Sequence, residues 1–157
     1  MKSVLFVCLG NICRSPMAQT VFEKIIEEKG MVDKFEVDSA GLHGWHEGDK
    51  ADPRMKKHAE ARGYDITHRS RPIRKEDFDK FDYIVGMDEQ NIKGLYQLAK
   101  IEEHKAKILR MADFLQKISA DFVPDPYYGG AEGFEYVIDL LEDACEGFYQ
   151  EIKSNNI

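Results

Sequence analysis

The chain has 157 residues, a length that fits one domain with a sizeable hydrophobic core. Its hydrophobic content of 43% and charged content of 32% are those of an ordinary globular protein, and no apolar run is long enough to span a bilayer. The formal net charge of −7 argues against general nucleic-acid binding, so any attraction for an anionic ligand must be local to a site.

The cysteine content and the first residues indicate a compartment. Three cysteines, an odd number, fit a reducing cytosol better than a disulfide framework. The N-terminus carries one lysine and then enters an apolar strand, which is not the pattern of a signal peptide. Because the sequence contains no repeat or linker, we expect one cytoplasmic domain over residues 1–157 that binds no membrane.

The first predicted element is a nearly all-apolar strand from Lys2 to Val7, typical of a strand that is covered on both faces. A loop follows, and then a helix is predicted from Met17 to Lys29. In such a strand–loop–helix turn, the loop N–H groups and the helix N-terminus form a pocket for a tetrahedral oxyanion. We interpret Ser15 as the N-cap of this helix and Pro16 as its first residue.

This loop carries a candidate nucleophile and a candidate anion clamp. Cys8 stands at the strand end, where the helix N-terminus and a nearby guanidinium favour the thiolate, which is the nucleophilic form. Arg14, six residues later, offers a planar fork for two phosphate oxygens. Gly10 and Asn11 suit the unusual backbone angles of such a loop. The spacing of Cys8 and Arg14 is a weak signal by itself, but the strand before it and the helix after it favour a functional site.

A second strand is predicted from Phe35 to Ala40, and strand–helix–strand is the right-handed crossover of a parallel sheet. The loop over 41–52 then lies at the carboxyl end of a strand, where open α/β sheets bind ligands. It contains the only tryptophan of the sequence, Trp45, which we interpret as a wall of the site rather than as a surface prop.

The region between the second and third strands contains a helix and a basic segment. The helix is predicted from Arg54 to Arg62 and is opened by Asp52 and Pro53. The basic segment over 68–75 is either a solvated face or an aid in attracting an anionic substrate. Within it, His68 is either a buried group that hydrogen-bonds toward the Cys8 loop or an exposed histidine.

The second half of the chain continues the α/β pattern. A third strand is predicted over 81–87, a helix capped by Asp88 through Leu98, and a short fourth strand over 107–109. The last helix, over about 132–153, has an apolar face on which we expect Cys145 to be inert core. That predicted face consists of Phe134, Val137, Ile138, Leu141, Cys145, Phe148 and Ile152.

The loop over 122–130 supplies a candidate general acid. A thiolate that attacks phosphorus must expel an oxygen, and that oxygen needs a proton. Asp125 lies between two prolines that stiffen the loop, and Tyr127 and Tyr128 beside it are suited to flank a flat aryl leaving group. The segment is equally well explained as a rigid turn, but its combination with the Cys8 loop favours the catalytic interpretation.

These motifs resemble those of the low-molecular-weight protein tyrosine phosphatases over essentially the whole chain. The resemblance rests on residues 7–16, 38–41, 75–84, 87–89 and 125–129. It implies a single three-layer α/β phosphatase domain, with a four-stranded parallel sheet in the order 2-1-3-4 and helices on both faces. It also implies hydrolysis of phosphotyrosine and small aryl phosphates through a cysteinyl-phosphate, with no cofactor or metal and with inorganic phosphate as product.

The same resemblance implies a role for each motif residue. Cys8 is the nucleophile, Arg14 the phosphate clamp and Asp125 the general acid. The phosphate-binding loop comprises Leu9, Gly10, Asn11, Ile12, Cys13, Arg14 and Ser15. The loop is supported by Asn11, Ser15, Ser39 and His68. The substrate walls are Leu9, Trp45, Tyr127 and Tyr128. Cys13 forms a reversible disulfide with Cys8 that protects it from overoxidation. His46, where an acid is common in the family, bears on substrate preference.

Two other functions fit parts of the pattern. A thiol-dependent arsenate reductase has a similar fold and loop, but it needs further cysteines to relay a disulfide, and only Cys13 and Cys145 remain here. A catalytically silent phosphate- or phosphopeptide-binding module keeps the loop, but it has no need of Cys8, Arg14 and Asp125 together. We expect phosphotyrosine proteins or small phosphate esters as substrates, and a mostly monomeric chain whose aromatic face is open to weak self-association.

Overall fold

The computed structural model describes residues 1–127 and 129–157. Within this part of the chain, one parallel sheet has the order β2-β1-β3-β4, which confirms the expected strand order. Its strands are β1 (Lys2–Cys8), β2 (Phe35–Gly41), β3 (Tyr83–Gly86) and β4 (Ile108–Arg110). The α-helices are α1 (Arg14–Glu28), α2 (Pro53–Ala61), α3 (Lys75–Lys80), α4 (Glu89–Leu98), α5 (Glu102–Lys105) and α6 (Ala131–Lys153).

Strand β1 is apolar throughout its centre because both of its faces are covered. Val4 and Phe6 belong to the hydrophobic cluster beneath α1 and α6, whereas Leu5 and Val7 belong to the cluster beneath α3 and α4. Alternate side chains of one strand thus feed two cores, as the period of two requires. The expected three layers are confirmed, and the site lies where β1 ends, at the carboxyl edge of the sheet.

The apolar face predicted for the last helix is confirmed. All seven of its residues are buried, and Phe148 makes ring contacts with Phe6, Phe22, Tyr83 and Phe114. Helix α6 is therefore anchored in the larger core. Among the described residues, no helix is both long and apolar enough to cross a membrane.

The interpretation of Ser15 as N-cap and Pro16 as first helical residue is wrong. Helix α1 begins at Arg14, with Cys13 as its N-cap. The hydroxyl of Ser15 is engaged with Cys8 and is not used to cap the helix. Pro16 is the third helical residue, where its missing N–H still costs no hydrogen bond. The short helices α3 and α5 were not predicted, because segments of six and four residues show no clear helical period.

Candidate active site

The loop between β1 and α1 adopts a backbone that its sequence explains in part. Asn11 has a φ of 58°, the left-handed conformation expected of it. Gly10 does not share that conformation. It is small for another reason, because a Cβ there would lie 3.2 Å from Cδ2 of His46. The loop over 41–52 therefore packs directly on the loop between β1 and α1 through His46.

The thiol of Cys8 is surrounded by donors. Its Sγ lies 3.0 Å from Ser15 Oγ, and the Ser15 N–H donates to it at 3.4 Å. Ser15 Oγ accepts a hydrogen bond from Asn11 Nδ2 at 2.7 Å, so its own proton is free to donate. Cys8 Sγ, at 3.0 Å, is nearer to it than the other acceptor, the carbonyl of Ala40 at 3.5 Å. These contacts place a hydroxyl and a backbone N–H on the sulfur, at the first turn of α1.

Asn11 connects the predicted support residues. Its Nδ2 also donates to Ser39 Oγ at 3.0 Å, and its Oδ1 lies 2.8 Å from His68 Nε2. Because an amide oxygen only accepts, His68 carries its proton on Nε2. Of the two positions predicted for His68, the structure shows the one that hydrogen-bonds toward the Cys8 loop, with 11% of the side chain exposed. Burial lowers the pKa of His68, Asp38 opposes this shift, and Arg71 adds to it.

Arg14 is buried, with 2% of its surface exposed, and is held by groups from two other loops. Its Nη1 donates to Asp88 Oδ2 at 2.7 Å and to the carbonyl of Val123 at 3.0 Å. Burial opposes its charge, but Cys8 and Asp88 together raise the pKa of Arg14 above its usual value. The guanidinium is thus a buried cation near Cys8, held in place by two other segments of the chain.

Asp125 lies on the other side of Arg14. Its Oδ2 is 3.6 Å from Arg14 Nη2, while its Oδ1 accepts a hydrogen bond from the N–H of Tyr127 at 3.0 Å. One oxygen therefore fixes the turn, and the other faces the site. The side chain is 39% exposed, so solvent reaches it.

A cavity of about 330 Å³ brings the three predicted catalytic residues together with three of the predicted walls, whereas the predicted support residues lie outside its lining. It is lined by Cys8, Leu9, Gly10, Ile12, Cys13, Arg14, Trp45, His46, Asp125 and Tyr127. Trp45 forms the rim, because it is 73% exposed and stacks on His43 with ring centroids 4.3 Å apart. The predicted wall residue Tyr128 lies outside the described residues.

The other two cysteines differ from Cys8. Burial, followed by the charge of Asp52, raises the pKa of Cys13. Cys145 is fully buried in the core, as expected, and its thiol donates to the carbonyl of Ala18 at 3.7 Å. All three cysteines are free thiols.

Several residues of the site were missed by sequence reasoning. Asp88 was predicted only as a helix cap, which it is through Oδ1, but its Oδ2 also holds Arg14. Its place directly after β3, at the same sheet edge as Cys8, was an available signal. Gln19 accepts from Ser39 Oγ at 2.7 Å, and no sequence signal marks it. Arg71, in the basic segment, is paired with Asp38 and Asp77 and so braces the protein internally.

The fold and the site together define a cysteine-dependent phosphatase of the α/β class. The family described as low molecular weight phosphotyrosine protein phosphatase matches residues 3–156. The chain is 45% identical to low molecular weight phosphotyrosine protein phosphatase 1 of Drosophila melanogaster, over 96% of each chain. It is 38% identical to the human low molecular weight phosphotyrosine protein phosphatase, over 96% of this chain and 95% of the human one.

A solved structure is similar to this chain over its whole length. The crystal structure of a protein tyrosine phosphatase from Entamoeba histolytica, with Hepes in its active site, is 46% identical, covers 100% of both chains and has a TM-score of 0.97. The chain therefore belongs to the low molecular weight phosphotyrosine protein phosphatase family.

Proposed function

We propose that this chain, as one phosphatase domain over residues 1–157, hydrolyses phosphotyrosine and small aryl phosphates through a cysteinyl-phosphate. The observation that carries the proposal is the common cavity of Cys8, Arg14 and Asp125, with Trp45 and Tyr127 on its walls. A nucleophile, a cation and an acid on one cavity are what displacement at phosphorus requires.

In the first step, the Cys8 thiolate attacks phosphorus in line with the bond to the tyrosine oxygen. A sulfur–phosphorus bond forms while the phosphorus–oxygen bond breaks, and Asp125 Oδ2 gives its proton to the departing phenolate. Arg14 and the loop N–H groups bind the equatorial oxygens, which carry the charge of the transition state. No metal enters this scheme, because Arg14 and the loop supply the positive charge.

In the second step, water replaces the tyrosine. Asp125, now a carboxylate, removes a proton from water, and the resulting oxygen attacks phosphorus and expels the Cys8 thiolate. Inorganic phosphate leaves, and both catalytic groups return to their initial states. Because the first step needs a protonated Asp125, we propose an acid phosphatase that works best at mildly acidic pH.

The surroundings of the cavity support a substrate class. The rings of Trp45 and Tyr127 suit a flat aryl group, on a protein or on a small ester.

The net charge of −7 supports a protein that does not bind nucleic acid. Its three free thiols support a reducing cytoplasm as its location. We further propose a mostly monomeric chain that self-associates weakly through the exposed ring of Trp45.

The experiment is hydrolysis of phosphotyrosine and of an aryl phosphate at mildly acidic pH, with a chelator present. We expect the native chain to turn over and Cys8→Ser to be inactive while still binding phosphate. Asp125→Asn should lose about 10²–10⁴-fold on phosphotyrosine, the usual weight of general acid–base catalysis. An active Cys8→Ser, or an Asp125→Asn with no loss on phosphotyrosine, contradicts the scheme.

The same experiment separates the alternatives. If the native chain binds phosphate but hydrolyses nothing, the silent binding module becomes the better account. If the native chain reduces arsenate with a thiol and hydrolyses no ester, the arsenate reductase becomes the better account. The position of Cys145 argues against the reductase, because a fully buried sulfur within the core is not placed to relay a disulfide.

A further inference from the structure

The guanidinium of Arg54 lies between two aromatic rings that belong to different parts of the chain. Its Cζ is 5.2 Å from the ring centroid of Tyr127 and 5.0 Å from that of Phe134. Both distances are those of cation–π contacts. Phe134 is buried in α6 and therefore fixed, whereas Tyr127 belongs to the loop that carries Asp125. Arg54 thus connects this loop to a rigid helix.

Arg54 is itself held in place by Asp52. Its Nε and Nη2 donate to the two carboxylate oxygens of Asp52 at 3.1 and 2.9 Å, a bidentate pair. Asp52 is only 7% exposed and is the N-cap of α2. Its own N–H donates to the carbonyl of Ile12 at 2.8 Å, within the phosphate-binding loop. The pair of Asp52 and Arg54 therefore spans from the nucleophile loop to the loop of the general acid.

The contact reaches Asp125 through one residue. The N–H of Tyr127 donates to Asp125 Oδ1, so the position of the Tyr127 backbone fixes the orientation of the carboxyl group. A ring that is held by Arg54 holds this backbone in turn. Arg54 is not among the described residues that line the catalytic cavity. It therefore does not act by touching the substrate.

We propose that Arg54, fixed by Asp52, is a positioning residue that aligns Asp125 with the oxygen it protonates. The inference rests on the proposed function, because it assigns Asp125 the role of general acid. Its signature is selectivity for the leaving group. A misplaced acid slows the loss of a basic phenolate such as tyrosine, but it barely affects a nitrophenolate that leaves without a proton.

The first experiment compares kcat/KM on phosphotyrosine and on a nitroaryl phosphate, since this ratio reports steps up to cleavage of the ester bond. We expect Arg54→Ala to lose about tenfold on phosphotyrosine and less than about twofold on the nitroaryl ester. Arg54→Lys should recover part of the loss, because it keeps a cation over the rings but not the bidentate pair. Lys57→Ala, an exposed lysine on the same helix, is the matched control and should match the native chain on both esters.

The second experiment is a double-mutant cycle with Asp125→Asn. If Arg54 acts through Asp125, Arg54→Ala costs nothing further once the acid is gone. An equal loss with and without the acid overturns the inference, as does an equal loss on both esters. Inhibition by inorganic phosphate should be unchanged in Arg54→Ala, because the phosphate-binding loop is intact.

A further variant covers a failure of Arg54→Ala to fold. Asp52→Asn keeps the N-cap of α2 but removes the charge partner of Arg54, so it should show the same selectivity with a smaller loss. If Asp52→Asn loses the same fraction of native activity on both esters, or none on either, the inference fails. If Asp125→Asn itself retains full activity on phosphotyrosine, the proposed function fails, and the two failures are thereby distinguished.

Discussion

At the scale of single residues, the amide of Asn11 sets the direction of the hydrogen bonds around the nucleophile. Its Nδ2 donates to two hydroxyls, those of Ser15 and Ser39. The Ser39 hydroxyl donates in turn to Gln19, and the Ser15 hydroxyl is free to donate to Cys8, the nearer of its two acceptors. An aspartate at position 11 would accept where the asparagine donates, and the chain of donors that ends on the sulfur would be reversed.

Cys8, at the end of β1, and Cys13, at the N-cap of α1, predict a redox response. Because burial raises the pKa of Cys13, we expect peroxide to react first at Cys8, which becomes a sulfenic acid. The Cys13 thiol then displaces water and forms a disulfide, which a dithiol reduces back to two thiols. We expect peroxide to inactivate the protein and a dithiol to restore it.

The matched variant for this prediction is Cys13→Ala. Without the second sulfur, the sulfenic acid oxidises further to products that a thiol does not reduce. We expect this variant to lose activity at a similar rate but to regain little of it, as measured by turnover after removal of peroxide. Equal recovery of Cys13→Ala and the native chain would show that a Cys8–Cys13 disulfide is not the protective device. Cys145→Ala, in the core, should recover like the native chain.

At the scale of elements, helix α6 depends on one glycine for its close approach to the backbone of Phe114, in the segment before the loop that carries Asp125. A Cβ on Gly147 would lie 1.9 Å from the carbonyl oxygen of Phe114, which is far inside van der Waals contact. Helix propensity favours alanine over glycine by about 1 kcal/mol, so sequence reasoning gives the opposite sign. The tertiary contact decides the residue at this position.

We therefore predict that Gly147→Ala destabilises the protein by at least about 2 kcal/mol, since the helix must shift away from the backbone of Phe114. Gly133→Ala is the control in the same helix, because its added Cβ meets nothing closer than Pro126 Cβ at 3.8 Å. It should be neutral or stabilising by about 0.5 kcal/mol. Urea unfolding measures both variants, and a Gly147→Ala as stable as the native chain would contradict the close approach.

At the scale of the whole molecule, the sequence predicts those features that repeat along the chain. The parallel sheet follows from apolar strands that alternate with amphipathic helices, and the buried face of α6 follows from its period. Contacts between segments that are far apart in the chain leave no such period in the sequence. The Asp88 contact to Arg14, which spans 74 residues, was not predicted. The His68 contact to Asn11, which spans 57, was one of two interpretations, and the sequence did not decide between them. The stack of Arg54 on Tyr127 and Phe134 is of the same kind, because only the fold brings these three together.

Such long-range contacts also make global stability depend on pH. The folded state lowers the pKa of His68 below its ordinary value of 6.5, mainly because burial disfavours the imidazolium. Asp38, 3.5 Å from Nδ1, opposes this shift, and Arg71 adds to it. The unfolded chain therefore binds a proton that the folded chain does not. The stability from this group is present above pH 6.5 and is lost as the pH falls through the lower, folded pKa.

We predict that the native chain loses more unfolding free energy between about pH 7.5 and about pH 5.5 than His68→Gln does. Glutamine keeps an N–H donor for Asn11 Oδ1 but does not titrate, so carboxylates and the other histidines contribute equally to both proteins. Urea unfolding at the two pH values gives the two differences directly. If His68→Gln shows the same or a larger loss, protonation of His68 is not opposed by folding, and the buried donor to Asn11 is not the source of the pH dependence. A larger loss in the native chain would tie acid stability to the same residue that orients the nucleophile loop.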